Sequence, residues 1–587
     1  MAEITVNSLV ALRNAVNSMN NGDTIYVSNP TNNDAMGETN NDPIAISTTK
    51  RFNIIGVPQS NPYLTIGWGS GAQGGPLFTD IGDGSTFENI SLRIQINNAT
   101  VPQAGYCLGL FVGGSGSAKG RMLNNITFRN CRITTYKMAA NWSDYNVNIP
   151  NYFGGFVGAI TGGVFDNCIV ANTGVTSSSG VHSGTAVHNF LGGLAGLMDN
   201  CTVTNCLVEL TSGEISAVDA SSGGQDVGKN MNVINGAIGA IAGKLQNNTR
   251  VQRCVVKSSV LASRNMAGGG ICGIAEDSLI LECENSGNMG APFRTNLNQP
   301  PEVIFFSQDI GGIAGQSIRS TIRDCVANMQ YIGAKITFST AHNPTNTLGC
   351  WRVGGICAKA SDSRIIGCRC SADLVGVYTG GIAYSADGSG AAVRTLGRAE
   401  SNSLSVSNNI FSGNIDGDTK TAGIVAVANP SGTAQMDINN NKVGTSNYIY
   451  NNLIQGSLAP DYSQLGAGGI AFELSPADSA RIYLLRNTVA VNVLSSYYRT
   501  DLVGIVGRIF AKLSGTGSVV KNHNYAAQSV AIYGKDISQT VYSGENLSDD
   551  ADLVEDDEQH GSNCLTQCPD GLPSESPWYT CPYGCEE

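Results

Sequence analysis

Apolar positions recur along this chain in one phrase: an apolar residue, two further positions of which the second is often Asn, then Cys, one variable residue and an apolar residue. It reads FRNCRI around Cys131, FDNCIV around Cys168, VTNCLV around Cys206, VQRCVV around Cys254, ILECEN around Cys283, TIRDCVA around Cys325 and IIGCRC around Cys368. A strand keeps residues of even spacing on one face. Here apolar positions lie three residues before the Cys and two after it, so the chain must turn a corner between them. The position before the Cys is where the corner fits. It is Asn at Asn130, Asn167 and Asn205, and Asn is among the few residues that tolerate the left-handed backbone region. Each phrase therefore predicts strand, one-residue corner, strand. The first inward column is Phe128, Phe165, Val203, Val251, Ile280, Ile322 and Ile365; the cysteines form the second; Ile133, Val170, Val208, Val256, Asn285, Ala327 and Cys370 form the third. Looser copies FENISL, LRNTVA and VKNHNY put Ile90, Thr488 and His523 in the Cys slot. That mixture reads as packing, with the cysteines as buried free thiols.

A second phrase, rich in glycine, precedes most copies: GGFVG from Gly154, GGLAG from Gly192, GAIAG from Gly239, GGICG from Gly269, GGIAG from Gly311 and GGICA from Gly354, continuing at Gly380, Ala422, Gly468 and Val503. Fixed-phase repetition of this kind means stacked units that share one core. The intervals run from 26 to 47 residues, and the excess is expected to leave as loops, for example at 172–190, 211–232, 292–308 and 330–352, along one side. Near the start, Asn7 or Ser8 can cap a helix that carries Leu9, Leu12 and Val16 on one face, shielding the open edge of the first strands.

This opening, with FNIIGV and FENISL after it, resembles the entrance of the right-handed β-helices of pectate lyases and phage tail spikes. The Gly-rich and Cys-containing repeats resemble the GLUG repeat of bacterial surface proteins, including the region outside the protease domain of immunoglobulin A proteases. The resemblance covers roughly residues 80 to 530. It implies an all-β right-handed parallel β-helix, a β-solenoid, with an N-terminal capping helix, side loops and a small Cys-rich tail. The predicted organisation is a cap and first turns over 1–80, the repeat solenoid over 81–544, an acidic linker over 545–560 and a Cys-rich module over 561–587.

Charge sharpens the last boundary. The net charge of −12 arises in residues 545–587, which hold twelve acids and no Lys or Arg, so the rest carries 34 acids against 34 bases. A neutral body without a basic run argues against nucleic acid as a partner, and no apolar stretch is long enough to insert into a membrane. ENLSDDADLVEDDEQH is too acidic to pack and reads as a solvated linker. Beyond it, Cys564, Cys568, Cys581 and Cys585 form either two disulfides or a zinc site of four thiolates; no other cofactor is expected. MAEITVN has neither a basic n-region nor an apolar core, so no secretory signal is visible, although a virion component would need none.

Catalytic signals are sparse. Asp166, Asp199, Asp277 and Asp324 sit at different offsets from their cysteines, and Glu282 with Glu284 beside Arg253 reads equally well as a salt-bridged surface. His182 and His188 share one Ser- and Gly-rich segment, without a clear metal spacing. Aromatic residues concentrate between the repeats, and Trp142, Tyr145, Tyr152, Tyr331 and Trp351 are the candidate ligand-binding residues, because flat rings beside Asn and Asp suit sugar or protein recognition. The expected function is a non-enzymatic extracellular, cell-surface or virion protein that displays loops to a glycan or protein receptor. The alternatives are a polysaccharide lyase or glycoside hydrolase on the same scaffold, and a filament subunit that binds copies of itself.

Overall fold

The computed structural model describes residues 2–533 except short stretches and the longer segments 29–34, 39–45, 59–63, 69–74, 143–148, 180–188, 220–235, 291–308, 334–351, 454–465 and 498–504; residues 534–587 lie outside it. The chain divides into two compact units, Met1–Gln308 and Asp309–Glu587. Both are all-β, and in each the strands run parallel in five stacked sheets visited in a fixed cycle, an arrangement consistent with a parallel β-helix.

One circuit of unit 1 shows the cycle. Val164–Asp166 lies in sheet I, Ile169–Ala171 in II, Gly174–Ser179 in III, Asn189–Gly192 in IV and Ala195–Asp199 in V, before Thr202–Thr204 returns to sheet I. The return is in register, Phe165 pairing with Val203. Across the same unit Phe128, Phe165, Val203, Val251 and Ile280 align, as do Ile133, Val170, Val208, Val256 and Asn285. All ten are fully buried. The phenylalanines stack, Phe87 on Phe128 at 5.2 Å and Phe128 on Phe165 at 5.1 Å, with Phe156 edge-on to Phe128 at 5.4 Å. The helix Leu9–Ser18 forms as expected: the Ser8 hydroxyl accepts the Ala11 N–H at 3.1 Å, and Leu9, Leu12, Ala15 and Val16 are buried.

Unit 2 repeats the cycle with Arg364–Ile366, Arg369–Cys370, Asp373–Gly376, Tyr378–Gly380 and Ala383–Gly388. An antiparallel hairpin, Val393–Thr395 with Arg398–Glu400, interrupts the passage from sheet V back to sheet I.

The corner prediction holds: φ is 47° at Asn130, 51° at Asn167 and 56° at Asn205. Less tolerant residues occupy the same corner elsewhere, with φ of 51° at Arg253, 53° at Glu282 and 56° at Arg486.

Three expectations are corrected. Three of the segments read as loops hold a strand of sheet III, Gly174–Ser179, Glu214–Asp219 and Tyr331–Gly333, while 292–308 lies outside the described residues. These strands are short and Ser- or Gly-rich, and the second contributes Ile215 to the core, so no alternation marks them. The last glycine phrase is displaced: Gly468 pairs with Gly507, not with Val503. In the late copies the Cys slot is also displaced by one residue, to Asn487 in LRNTVA and to Asn524 in VKNHNY. Thr488 starts the strand after the corner and pairs with Lys442. The slot holds Asn409, Asn441, Asn487 and Asn524, all buried.

That shift explains the slot. In unit 2 the Asn409 amide donates to Ile365 O at 3.0 Å, while its Oδ1 accepts the Cys368 backbone N–H at 2.9 Å. Asn441 does the same to Val406 O at 2.7 Å and the Asn409 N–H at 3.0 Å, and Asn487 to Ile438 O at 2.7 Å and the Asn441 N–H at 3.0 Å. The cysteines are smaller versions of this bridge. Cys131 Sγ lies 3.4 Å from Phe87 O, and Cys168 Sγ lies 3.4 Å from Phe128 O. The backbone N–H groups of Ile90 and Cys206 face the sulfurs of Cys131 and Cys254. The Cys and Asn side chains in this slot therefore both donate and accept, whereas Ile90 fills it by packing alone.

The twelve cysteines among the described residues are free and buried. Burial pushes the Cys107, Cys201 and Cys370 thiols up to about 12.

Two outcomes follow. Asn167→Val should destabilise by about 1–3 kcal/mol more than Thr202→Val, because a β-branched residue resists φ of 51° whereas Thr202 is an exposed strand residue; equal shifts in chemical denaturation would refute the corner argument. The native protein should resist thiol reagents near neutral pH. A thiol whose folded value is raised keeps its contribution below its unfolded value near 9 and loses it as pH rises toward 12. Thermal melting should accordingly fall steeply between these limits, and a flat profile there would contradict the burial.

Candidate functional site

Of the aromatic candidates, Tyr152 and Tyr331 are described with their side chains, and they belong to different sheets. Tyr152 projects from the sheet IV strand Asn151–Gly154, stacks on Phe190 with centroids 5.7 Å apart and packs against Cys107, Ala159 and Leu197; burial raises its phenol pKa. Tyr331 is half-buried in sheet III of unit 2, and Trp142 ends the sheet III strand Lys137–Trp142 of unit 1. Tyr145, Trp351, His182, His188 and the tail cysteines Cys564, Cys568, Cys581 and Cys585 lie outside the described residues. The carboxylate group near Cys283 is a hydrogen-bonded surface: Gln252 donates to Glu282 at 3.1 Å, while Arg253 turns to Asn205 at 3.0 Å. Among the described residues no cluster of His, Cys, Asp or Glu could hold a metal ion, and no helix is long and apolar enough to cross a membrane.

What the structure does assemble is a seam on the outer side of the glycine phrase, where sheets IV and V fold toward each other. In unit 1 the approach is so close that a Cβ on Gly158 would lie 2.6 Å from Cys107 Cα, and one on Gly196 would lie 2.5 Å from Phe153 N. Only glycine fits there. Ala159 and Leu197 fill what remains.

In unit 2 the same line carries larger and charged groups. Tyr384 packs against a buried cluster of Ala422, Ala426, Phe472 and Ala511. Asp309, with no exposed side-chain surface, is ion-paired to Arg352 and accepts from Gln316 Nε2 at 2.6 Å. Lys359 lies 3.9 Å from Asp387. Glu473 accepts from Lys420 Nζ at 2.6 Å and from Ser514 Oγ at 2.7 Å, with Lys512 Nζ 3.4 Å away. Lys420 also sits 5.9 Å from the centre of the Phe472 ring, within cation–π range.

Electrostatics divides the acids. Burial raises Asp309 and Asp387 above the usual carboxylate range despite their cationic neighbours. For Glu473 burial pulls the same way but is outweighed by the Lys420 and Ser514 hydrogen bonds and the lysine charges, which hold it low. None of these residues stands in a motif. They come together because residues two before and five after the start of the glycine phrase face each other across the seam.

No family model matches the chain, and no curated protein matches it in sequence.

The raised acids carry a pH signature. An ionised Asp309 costs the native state stability near neutral pH, and that cost is relieved as pH falls through its raised folded value. Melting should therefore rise on mild acidification and fall only in stronger acid, where Glu473 is protonated. Asp309→Asn should flatten the rise. A wild-type protein that loses stability steadily from neutral pH downward would contradict this assignment.

Proposed function

We propose that the chain is a right-handed parallel β-helix of the solenoid type, related in design to GLUG-repeat surface proteins, and that it works without catalysis as a recognition scaffold at a cell surface, on a virion or in the extracellular space. Its partner on this reading is a glycan or a protein receptor, bound by the segments that leave the repeat.

One observation supports the reading most directly. The connection from sheet III to sheet IV varies from Val377 alone, through 418–419 and 262–265, to 180–188, 220–235, 291–308, 334–351 and 454–465. Other connections stay short through most of each unit, apart from the early strands, 109–122 and the passage that holds the hairpin. A scaffold constrained by its core and free at one corner is what loop-based recognition uses. The seam lies directly after this corner, so a ligand held by the insertions would reach the outward residues of sheet IV.

A glycan array with the full chain tests the proposal, alongside an assay for ultraviolet-absorbing unsaturated products. Replacing residues 334–351 by a short linker should abolish or change binding with melting nearly unchanged, since the strands Tyr331–Gly333 and Arg352–Gly354 on either side are kept. Turnover of a polysaccharide would instead establish an enzyme, and unaltered binding after the replacement would remove that insertion from the site.

A further inference from the structure

The outward row of the unit 2 seam has a periodicity. On sheet V the positions in register are Gln316, Lys359, Ser385, Val427, Glu473 and Lys512. On sheet IV, Asp309 pairs with Arg352 and Arg352 with Tyr378, and the pairing of Thr379 with Thr421 brings Lys420 next. Cations therefore fall on alternate circuits: Arg352 with Lys359, then Lys420, then Lys512. Adjacent parallel strands lie about 4.8 Å apart, so these charges recur at roughly 10 Å, close to the length of two sugar units in an extended chain. Half-buried Tyr378 lies between the first and second of them.

The acids that hold these cations lie beneath them. The Asp309 side chain has 0% of its surface exposed against 22% for Arg352, and Glu473 11% against 21% for Lys512. Among the described residues these ion pairs set four cations, Arg352, Lys359, Lys420 and Lys512, against three acids, Asp309, Asp387 and Glu473, which leaves positive charge in excess. Each ammonium has three donors, and Glu473 satisfies one of Lys420 and lies near Lys512. Lys420 keeps 15% of its side-chain surface exposed and Lys512 21%, which leaves each in reach of an anion from outside. The buried carboxylates fix the lysines in place, which lowers the ordering cost of binding.

We propose that this row binds a linear anionic polysaccharide, carboxylated or sulfated, laid along the direction in which the strands stack and meeting a cation at every second circuit. The inference rests on the glycan-binding reading and specifies its ligand class.

Titration calorimetry of the full chain with sulfated, carboxylated and neutral oligosaccharides of matched length, at low and high salt, tests it. An anionic oligosaccharide should bind, with affinity that falls as salt rises, and the sulfated and carboxylated arms identify the group recognised. Lys420→Gln with Lys512→Gln should weaken binding by about tenfold or more. If the double variant fails to fold, Lys512→Gln alone, which leaves Glu473 its bonds to Lys420 and Ser514, should still weaken binding and reduce its salt dependence. Neutral oligosaccharides bound as tightly as anionic ones, or anionic binding unchanged in the variants, would overturn the inference and leave glycan binding standing. Binding of no oligosaccharide in any arm would overturn both.

Discussion

A parallel strand ladder cannot run through a corner. When the backbone turns, an N–H that would have met a carbonyl of the neighbouring strand is carried out of line, and inside the core no water can replace that partner. Although Ile90 and Ile126 fill their slots by packing, the recurring answer in this protein is a small polar side chain from the following circuit that closes the gap. Asn409, Asn441 and Asn487 do so after sheet I in unit 2. At the corner before sheet I, Cys201 Sγ accepts the Gly163 N–H at 3.3 Å and Thr249 Oγ1 accepts that of Cys201 at 3.2 Å. Ser363 accepts the Ser320 N–H at 3.2 Å, and after sheet II Ser258 accepts that of Leu210 at 2.7 Å. Cys, Ser, Thr and Asn are interchangeable in these slots because each combines small volume with a hydrogen-bonding atom.

The outer seam answers a different constraint. Folding sheets IV and V toward each other buries both faces of the glycine phrase, with Phe156 directed into the core and Gly158 against the backbone around Cys107. Unit 1 meets this demand by removing side chains. Unit 2 meets it with Tyr384, Phe472 and ion pairs. Buried ion pairs contribute little net stability once their desolvation is counted, so stability alone is a weak reason for the second solution. A charged, pre-ordered row is what a recognition surface needs.

Much of the fold was legible because it repeats. Asn130, Asn167 and Asn205 could be read as corners from the odd spacing of the apolar residues around them, and the three inward columns followed. The reading failed where the slot itself became Asn: in LRNTVA, Asn487 resembles a corner residue, yet Arg486 has the positive φ and Asn487 is the buried bridge. Sheet III was hidden because its strands are short and polar next to insertions. The seam was illegible for another reason. Lys420 and Glu473 are unremarkable in sequence and meet only through the register of successive circuits, whereas the aromatic residues that do stand out, Tyr152 and Tyr331, belong to different sheets.

The bridging side chains also give the chain an arrow. Each reaches back to the circuit before it, so a newly emerged circuit lacks its corner partners until the next one is laid on top. Growth during synthesis would then close the fold circuit by circuit from the N-terminal side, as courses of masonry are laid. An interruption would leave a single unfinished course at the growing end, while everything below it was already closed.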